Sequence, residues 1–283
     1  MPKALRGLVL ACHPGPTLVV TVVTAVLAVS VSYPPGRVAL IAVAMLAGQL
    51  SVGWSNDWID AQRDRAVARS DKPVATGMVS ARAVAVAAGI ALALAVLLTA
   101  PLGFAALLVH VVTLASAWSY NARLKRTLFS VLPYVVSFGL LPAIVTLGAE
   151  DPAWPTWWVV VAGGLLGAAA HFTNVLPDLA QDRATGVRGL GHLLGPLVGG
   201  LLSFCLLALV GVTIAAGAIA ASGLLGWPAA LVIGGCILTI VIAAAGVLLA
   251  VRGSRSRWLM RLVMTAAIID VIALVAAGPV ISA

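Results

Sequence analysis

Polar positions are scarce in this chain, and they break long apolar runs at intervals a membrane would impose. Nine apolar stretches lie near residues 17–32, 38–54, 83–100, 102–119, 128–147, 157–173, 194–220, 228–250 and 262–281. Most approach the ~20 residues that a helix needs to cross a bilayer core. Turn-forming residues punctuate them at Tyr33-Pro34-Pro35-Gly36, Pro101 to Gly103, Gly148 to Pro155 and Gly226-Trp227-Pro228. The third and fourth stretches nearly touch, which predicts a tight helical hairpin. The expected architecture is an all-α integral membrane protein of nine transmembrane helices, in one membrane domain over residues 1–283. The first run follows Lys3 and Arg6 and has the look of a signal peptide, but it fits the topology as a retained span.

Composition agrees. The chain is 62% hydrophobic and 9% charged, where a soluble domain has about a quarter of its residues charged. A net charge of +8 raises nucleic acid as a partner. The basic residues lie in short clusters between apolar runs, with no soluble basic domain to hold DNA or RNA, and no nucleic acid is expected. With the N-terminus in the cytoplasm and the C-terminus outside, 16 of the 17 basic residues fall in cytoplasmic segments, and Arg37 is the exception. That bias follows the positive-inside rule. Basic residues are nearly all Arg and the apolar runs are rich in Ala and Val, compatible with a bacterial plasma membrane. Cys12, Cys205 and Cys236 have unrelated spacings and read as small buried hydrophobes.

Two polar patterns stand out. Asn56, Asp60 and Asp64 form N-x-x-x-D-x-x-x-D after the second span, and Asn174, Asp178 and Asp182 repeat it after the sixth. On a continuous helix this spacing stacks three oxygen-bearing side chains on one face, climbing about 12 Å. Two such stripes facing one another suit divalent cations, and Mg²⁺ takes few carboxylates and completes its shell with water and phosphate. Four spans separate the motifs, so both lie on the cytoplasmic side, and the halves (roughly 1–127 and 128–283) read as parallel repeats. Close carboxylates would repel one another unless cations compensate.

On these features the chain resembles the UbiA superfamily of intramembrane prenyltransferases. The resemblance rests on the nine-span pattern, on the first motif with its trailing Arg69-Ser70-Asp71-Lys72-Pro73, and on the second motif with Gly186 four residues beyond it. It implies helices around a central cavity and transfer of an isoprenyl chain from a prenyl diphosphate donor to an aromatic or other lipophilic acceptor. It further implies Mg²⁺ held by Asn56, Asp60, Asp64, Asp178 and Asp182, with Asn174 beside them on the diphosphate. No obligate protein partner is readable.

Diphosphate oxygens need charge-assisted donors. Arg69 and Lys72 follow the first motif, and Tyr120 precedes Arg123 and Lys125, of which one is expected to face the site. The Arg252–Arg261 cluster reads as headgroup anchoring. Loops 65–82 and 183–193 are placed to cap the metals against water. His171, one turn deeper than Asn174, lines the acceptor pocket or bonds a neighbouring helix. Trp54, Trp118, Tyr134 and Phe138 offer ring faces to a carbocation or simply pack. Asp57 lies about 100° round the helix from Asn56 and serves as support or as a solvated acid. Asp270, inside the last span, requires a polar partner in the bundle interior.

Two rivals share these features. A membrane terpene cyclase would ionise the same donor and let its own double bonds attack. A secondary transporter would bind coupling ions through the acids, but such sites lie near the bilayer midplane, and these acids sit at helix ends among arginines.

Overall fold

The computed structural model describes residues 1–223, 226–276 and 281. Among them are twelve α-helices: α1 (Lys3–Ala11), α2 (Pro14–Ser30), α3 (Pro35–Ile59), α4 (Ala61–Ala66), α5 (Ala81–Thr99), α6 (Phe104–Ala122), α7 (Leu132–Thr146), α8 (Trp157–Val175), α9 (Leu179–Ala184), α10 (Leu190–Ser222), α11 (Trp227–Val251) and α12 (Trp258–Ala276). Among the described residues eight helical segments are long and apolar enough to cross a membrane. The expected first span, over α2, reaches that length only taken together with α1, from which it is bent by 60°. The tight hairpin forms between α5 and α6, where Gly103 at φ 110° turns the chain.

The spans close into a ring. Helix α2 packs on α3 and α12, α3 on α5 and α6, and the sequence α6–α7–α8–α10–α11–α12 completes the circuit. Backbones come close where side chains are small. A Cβ on Gly163 or Gly167 of α8 would strike the carbonyls of Phe138 and Tyr134 on α7, a small-xxx-small contact suited to membranes, where apolar surface alone gives no drive to associate. Outside the ring, Trp154 and Trp157 are exposed, while Trp158 is buried and packs over Gly217. Cys12 is buried as expected. Cys205 is exposed and Cys236 intermediate, because much of the apolar outer face of the ring is turned toward lipid. Asp270 is buried and accepts a 2.7 Å hydrogen bond from the Thr239 hydroxyl, the partner that its place in the last span required.

Candidate diphosphate site

In both motifs the α-helix is interrupted at or just before the central acid. Asp60 separates α3 from α4 at φ −85°, ψ −2°, and Asp178 precedes α9 at φ −101°, ψ −2°. This corrects the expectation of straight ladders. In the first motif the i→i−4 pattern survives the interruption, with Asp60 N–H donating to Asn56 O at 3.0 Å and Asp64 N–H to Asp60 O at 2.8 Å. In the second, Pro177 sits in a short 3₁₀ turn, Leu176–Asp178, where a ring without an N–H suits the tighter path. The echo runs further than the acids. After α4, Ala68 is left-handed (φ 51°) and Arg69 N–H returns to Asp64 O at 3.0 Å; after α9, Gly186 is left-handed (φ 77°) and Val187 N–H returns to Asp182 O at 2.9 Å. Each is a Schellman-type helix end.

The two motifs converge at one end of the bundle, held by basic side chains. Arg63 donates to Asp60 at 2.9 Å and lies 3.8 Å from Asp64 and 3.6 Å from Asp182 of the other motif. Arg69 bridges the motifs again, 3.0 Å from Asp178 and 2.8 Å from Asp71. Lys125 places Nζ 2.6 Å from both oxygens of Asp60, and His192 Nε2 lies 3.1 Å from Asp182. Asp60 and Asp64 are each only 2% exposed; buried charges of this kind persist only when paired. Burial pushes the Asp64 carboxyl above its ordinary value. Burial likewise pulls the Lys125 ammonium down, against the opposing pull of Asp60. The hydrogen bond to Asp71 holds the Arg69 guanidinium further up.

Of the two basic candidates after Tyr120, Lys125 enters the site. Arg123 is exposed and makes no ion pair among the described residues. Lys72 pairs with Asp57 at 2.7 Å. Trp54 packs against Ala61, Val74, Val79 and Val84 and donates its indole N–H to the Leu8 carbonyl at 2.9 Å; it does not line the cavity below the acids. Trp118 likewise donates to Ser51. Arg257, expected at the lipid headgroups, bonds Asp71 at 2.8 Å and ties the first loop to the start of α12.

Below the acids lies a cavity of about 190 Å³, bordered by Asn56 and Asn174 and walled by Tyr120, Tyr134, Phe138 and Gln49. The Asn56 amide N–H donates to Asn121 at 3.1 Å and that of Asn174 to the Tyr134 hydroxyl at 3.1 Å, so each asparagine keeps its carbonyl oxygen for a cation. Two smaller cavities, about 80 and 40 Å³, share Val20 and Phe138 with it; the first is almost wholly apolar, and the second also meets Gln49, His110 and Thr113. His171 sits behind this wall. It packs edge-on to Tyr120 with centroids 5.9 Å apart and lies 3.3 Å from the Ser130 hydroxyl, and it is not among the residues lining the cavity.

The donor set is wholly oxygen and strongly anionic, as a hard cation requires. Among the described residues no three acidic, His or Cys side chains surround one point. An ion here would therefore take part of its shell from water and phosphate, which is the habit of Mg²⁺. Two further residues, Arg63 and His192, join the site beyond those expected from sequence. Arg63 had a signal, since i and i+3 share a helix face and place it beside Asp60. His192 had none, because a loop brings it back to Asp182.

Residues 17–268 match the model of the UbiA prenyltransferase family. Over 138 residues the chain is 35% identical to a 4-hydroxybenzoate octaprenyltransferase of Nitrosomonas eutropha and 33% identical to one of Thiobacillus denitrificans. Each match covers 47% of this chain, and it spans about half the length of those relatives, 47% and 46%. The fold is similar to that of an apo UbiA homologue from Aeropyrum pernix, with a TM-score of 0.74 at 22% identity, covering 91% of this chain and 96% of that one. It is also similar to an Archaeoglobus fulgidus homologue bound to GPP and Mg²⁺, with a TM-score of 0.72 at 14% identity, covering 96% and 99%. Structural likeness at such identities speaks for the fold, whereas the family match runs through both acidic motifs and nearly every span: the chain belongs to the UbiA prenyltransferase family.

Proposed function

We propose that this protein is a Mg²⁺-dependent intramembrane prenyltransferase that moves an isoprenyl chain from a prenyl diphosphate to an aromatic, lipophilic acceptor. The observation that carries this reading is the bridging of both acidic motifs by Arg63 and Arg69 above a cavity bordered by both motif asparagines. The names of the 4-hydroxybenzoate octaprenyltransferase relatives support it, as does the GPP and Mg²⁺ bound by the Archaeoglobus homologue.

Asp60, Asp64, Asp178 and Asp182, with Asn56 and Asn174, would hold Mg²⁺, which when bound neutralises the charge gathering on the departing diphosphate. Lys125, Arg63 and Arg69 are within reach to donate to diphosphate oxygens, and they exchange carboxylate partners for phosphate ones. The isoprenyl chain runs down the cavity past Phe138. The ring faces of Tyr134 and Phe138 stabilise the allylic cation, and loop 67–80 keeps water from quenching it. The motif end faces the cytoplasm of a bacterial plasma membrane, because that end carries nearly all the basic residues.

The test is mass spectrometry of products from purified protein supplied with a donor series and an acceptor panel. A prenylated aromatic is expected with Mg²⁺ and is lost with a chelator. Asp60→Asn and Asp178→Asn are expected to fold in detergent and to lose turnover by about 100-fold or more, the scale of a transition-state charge contact. Full activity in either variant contradicts the site. A cyclic hydrocarbon from donor alone replaces transfer with cyclisation.

A further inference from the structure

His13 stands at the break between α1 and α2 in a left-handed backbone conformation, φ 55°, ψ 66°, which non-glycine residues adopt uncommonly, His, Asn and Asp more readily than the others. The surroundings hold it there. The Cys12 carbonyl accepts from the Thr17 hydroxyl at 2.7 Å, and the Trp54 indole grips the Leu8 carbonyl. Gly53 of α3 lets the backbone at Cys12 approach so closely that a Cβ would collide with it. Backbone strain fixed by its surroundings in this way concentrates at functional sites. The held residue lines the cavity beneath the acidic motifs, together with Asn56, Tyr120, Tyr134 and Asn174.

Its ring is oriented from behind. Asp57 Oδ1 lies 3.1 Å from His13 Nε2 and 2.7 Å from Lys72 Nζ. The Asp57 side chain is 1% exposed and that of His13 36%, so the carboxylate is buried and the imidazole is partly exposed. Lys72 Nζ also lies 3.4 Å from Nε2, but its 2.7 Å bond goes to Asp57 and the carboxylate is the closer group to the ring; the carboxylate places the ring proton on Nε2 and leaves the Nδ1 lone pair as the acceptor. An acid orienting a histidine is a recurrent arrangement for proton abstraction.

We propose that His13, positioned by Asp57 and Lys72, accepts the proton that the aromatic acceptor must lose. This rests on the transferase reading above. The donor C1–O bond breaks and its electron pair leaves on diphosphate. A ring π pair of the acceptor forms the new C–C bond to C1. The ring carbon then gives its proton to His13 Nδ1, the C–H pair restores aromaticity, and His13 passes the proton to water at the cavity mouth. The acceptor is therefore an electron-rich ring with a hydrogen on the attacking carbon, seated between His13 and the Tyr120–Tyr134 wall. Lys72, read from sequence as a diphosphate contact, acts instead through Asp57.

Two variants test this. His13→Asn suits the left-handed backbone and keeps an N–H for Asp57 but cannot take the proton; His13→Gly keeps the backbone and opens a space. In His13→Asn, the partition of consumed donor is expected to shift from prenylated ring toward prenyl alcohol by about 100-fold, the usual scale of a general base. A ring-deuterated acceptor then shows a primary isotope effect larger than in wild type. Added imidazole restores transfer to His13→Gly. Unchanged partition in His13→Asn, or His13→Gly that consumes donor but is not rescued by imidazole, overturns the assignment of His13 alone. Wild-type protein that prenylates no ring overturns the transferase reading first and this inference with it.

Discussion

Charge compensation at Asp60 is the strongest single-residue statement the molecule makes. A buried carboxylate receives Lys125 on both oxygens and Arg63 on one. Removing one partner of a buried pair costs about 3–5 kcal/mol, mostly because the other charge is stranded. Lys125→Met should therefore destabilise the Mg²⁺-free protein by about 3 kcal/mol. It should gain more from added Mg²⁺ than wild type gains, because a cation then replaces the missing ammonium. Thermal unfolding in detergent, with and without Mg²⁺, measures both. Arg123→Met, whose side chain is exposed, should change neither.

At the scale of elements, the repeated Schellman ends differ by one residue type. Gly186 takes the left-handed conformation freely, whereas Ala68 does so at a cost, about 1 kcal/mol for an L-residue. Ala68→Gly is expected to stabilise the end of α4 by up to that amount, less the added freedom of glycine in the unfolded chain, and to slow amide exchange at Arg69. The loop that follows is clasped by Asp71, which Arg69 and then Arg257 hold below the ordinary carboxylate range. The sign follows from linkage: a depressed acid contributes its stability above its unfolded value, 3.8, and loses it as pH falls from there. The half-exposed Asp71 makes this a modest effect. Proteolysis within residues 67–80 should accelerate as pH is lowered through 4 toward 3, and Asp71→Asn should show the fast rate already at neutral pH.

For the whole molecule, function depends on a ring of spans that brings two distant motifs to one end. On the proposed function the donor and its ion engage both motifs, so binding should stabilise the fold as a unit, by about 2.7 kcal/mol at a ligand concentration 100 times Kd. A non-hydrolysable prenyl diphosphate with Mg²⁺ should raise Tm, and Asp182→Asn should remove most of the rise. Orientation is testable in inverted membrane vesicles. A single cysteine introduced at the exposed Arg65 or Arg188 of an otherwise cysteine-free protein should react with a membrane-impermeant maleimide there and remain protected in right-side-out vesicles.

By itself the sequence determined the spans, because burial in lipid needs only length and hydropathy, and those are local. It also carried both acidic motifs and the acid in the last span with its need for a partner such as Thr239, because charge in an apolar run has few permitted reasons. Only the tertiary structure decided what meets at the motif end. The break at Asp60 has no mark in the spacing, whereas Pro177 marks the one before Asp178. The choice of Lys125 over Arg123 turns on one 3₁₀ turn after α6. The pairing of His13 with Asp57 joins residues 44 positions apart, which no periodicity along a single helix can encode; it arises because Gly53 lets α3 close onto the break before α2.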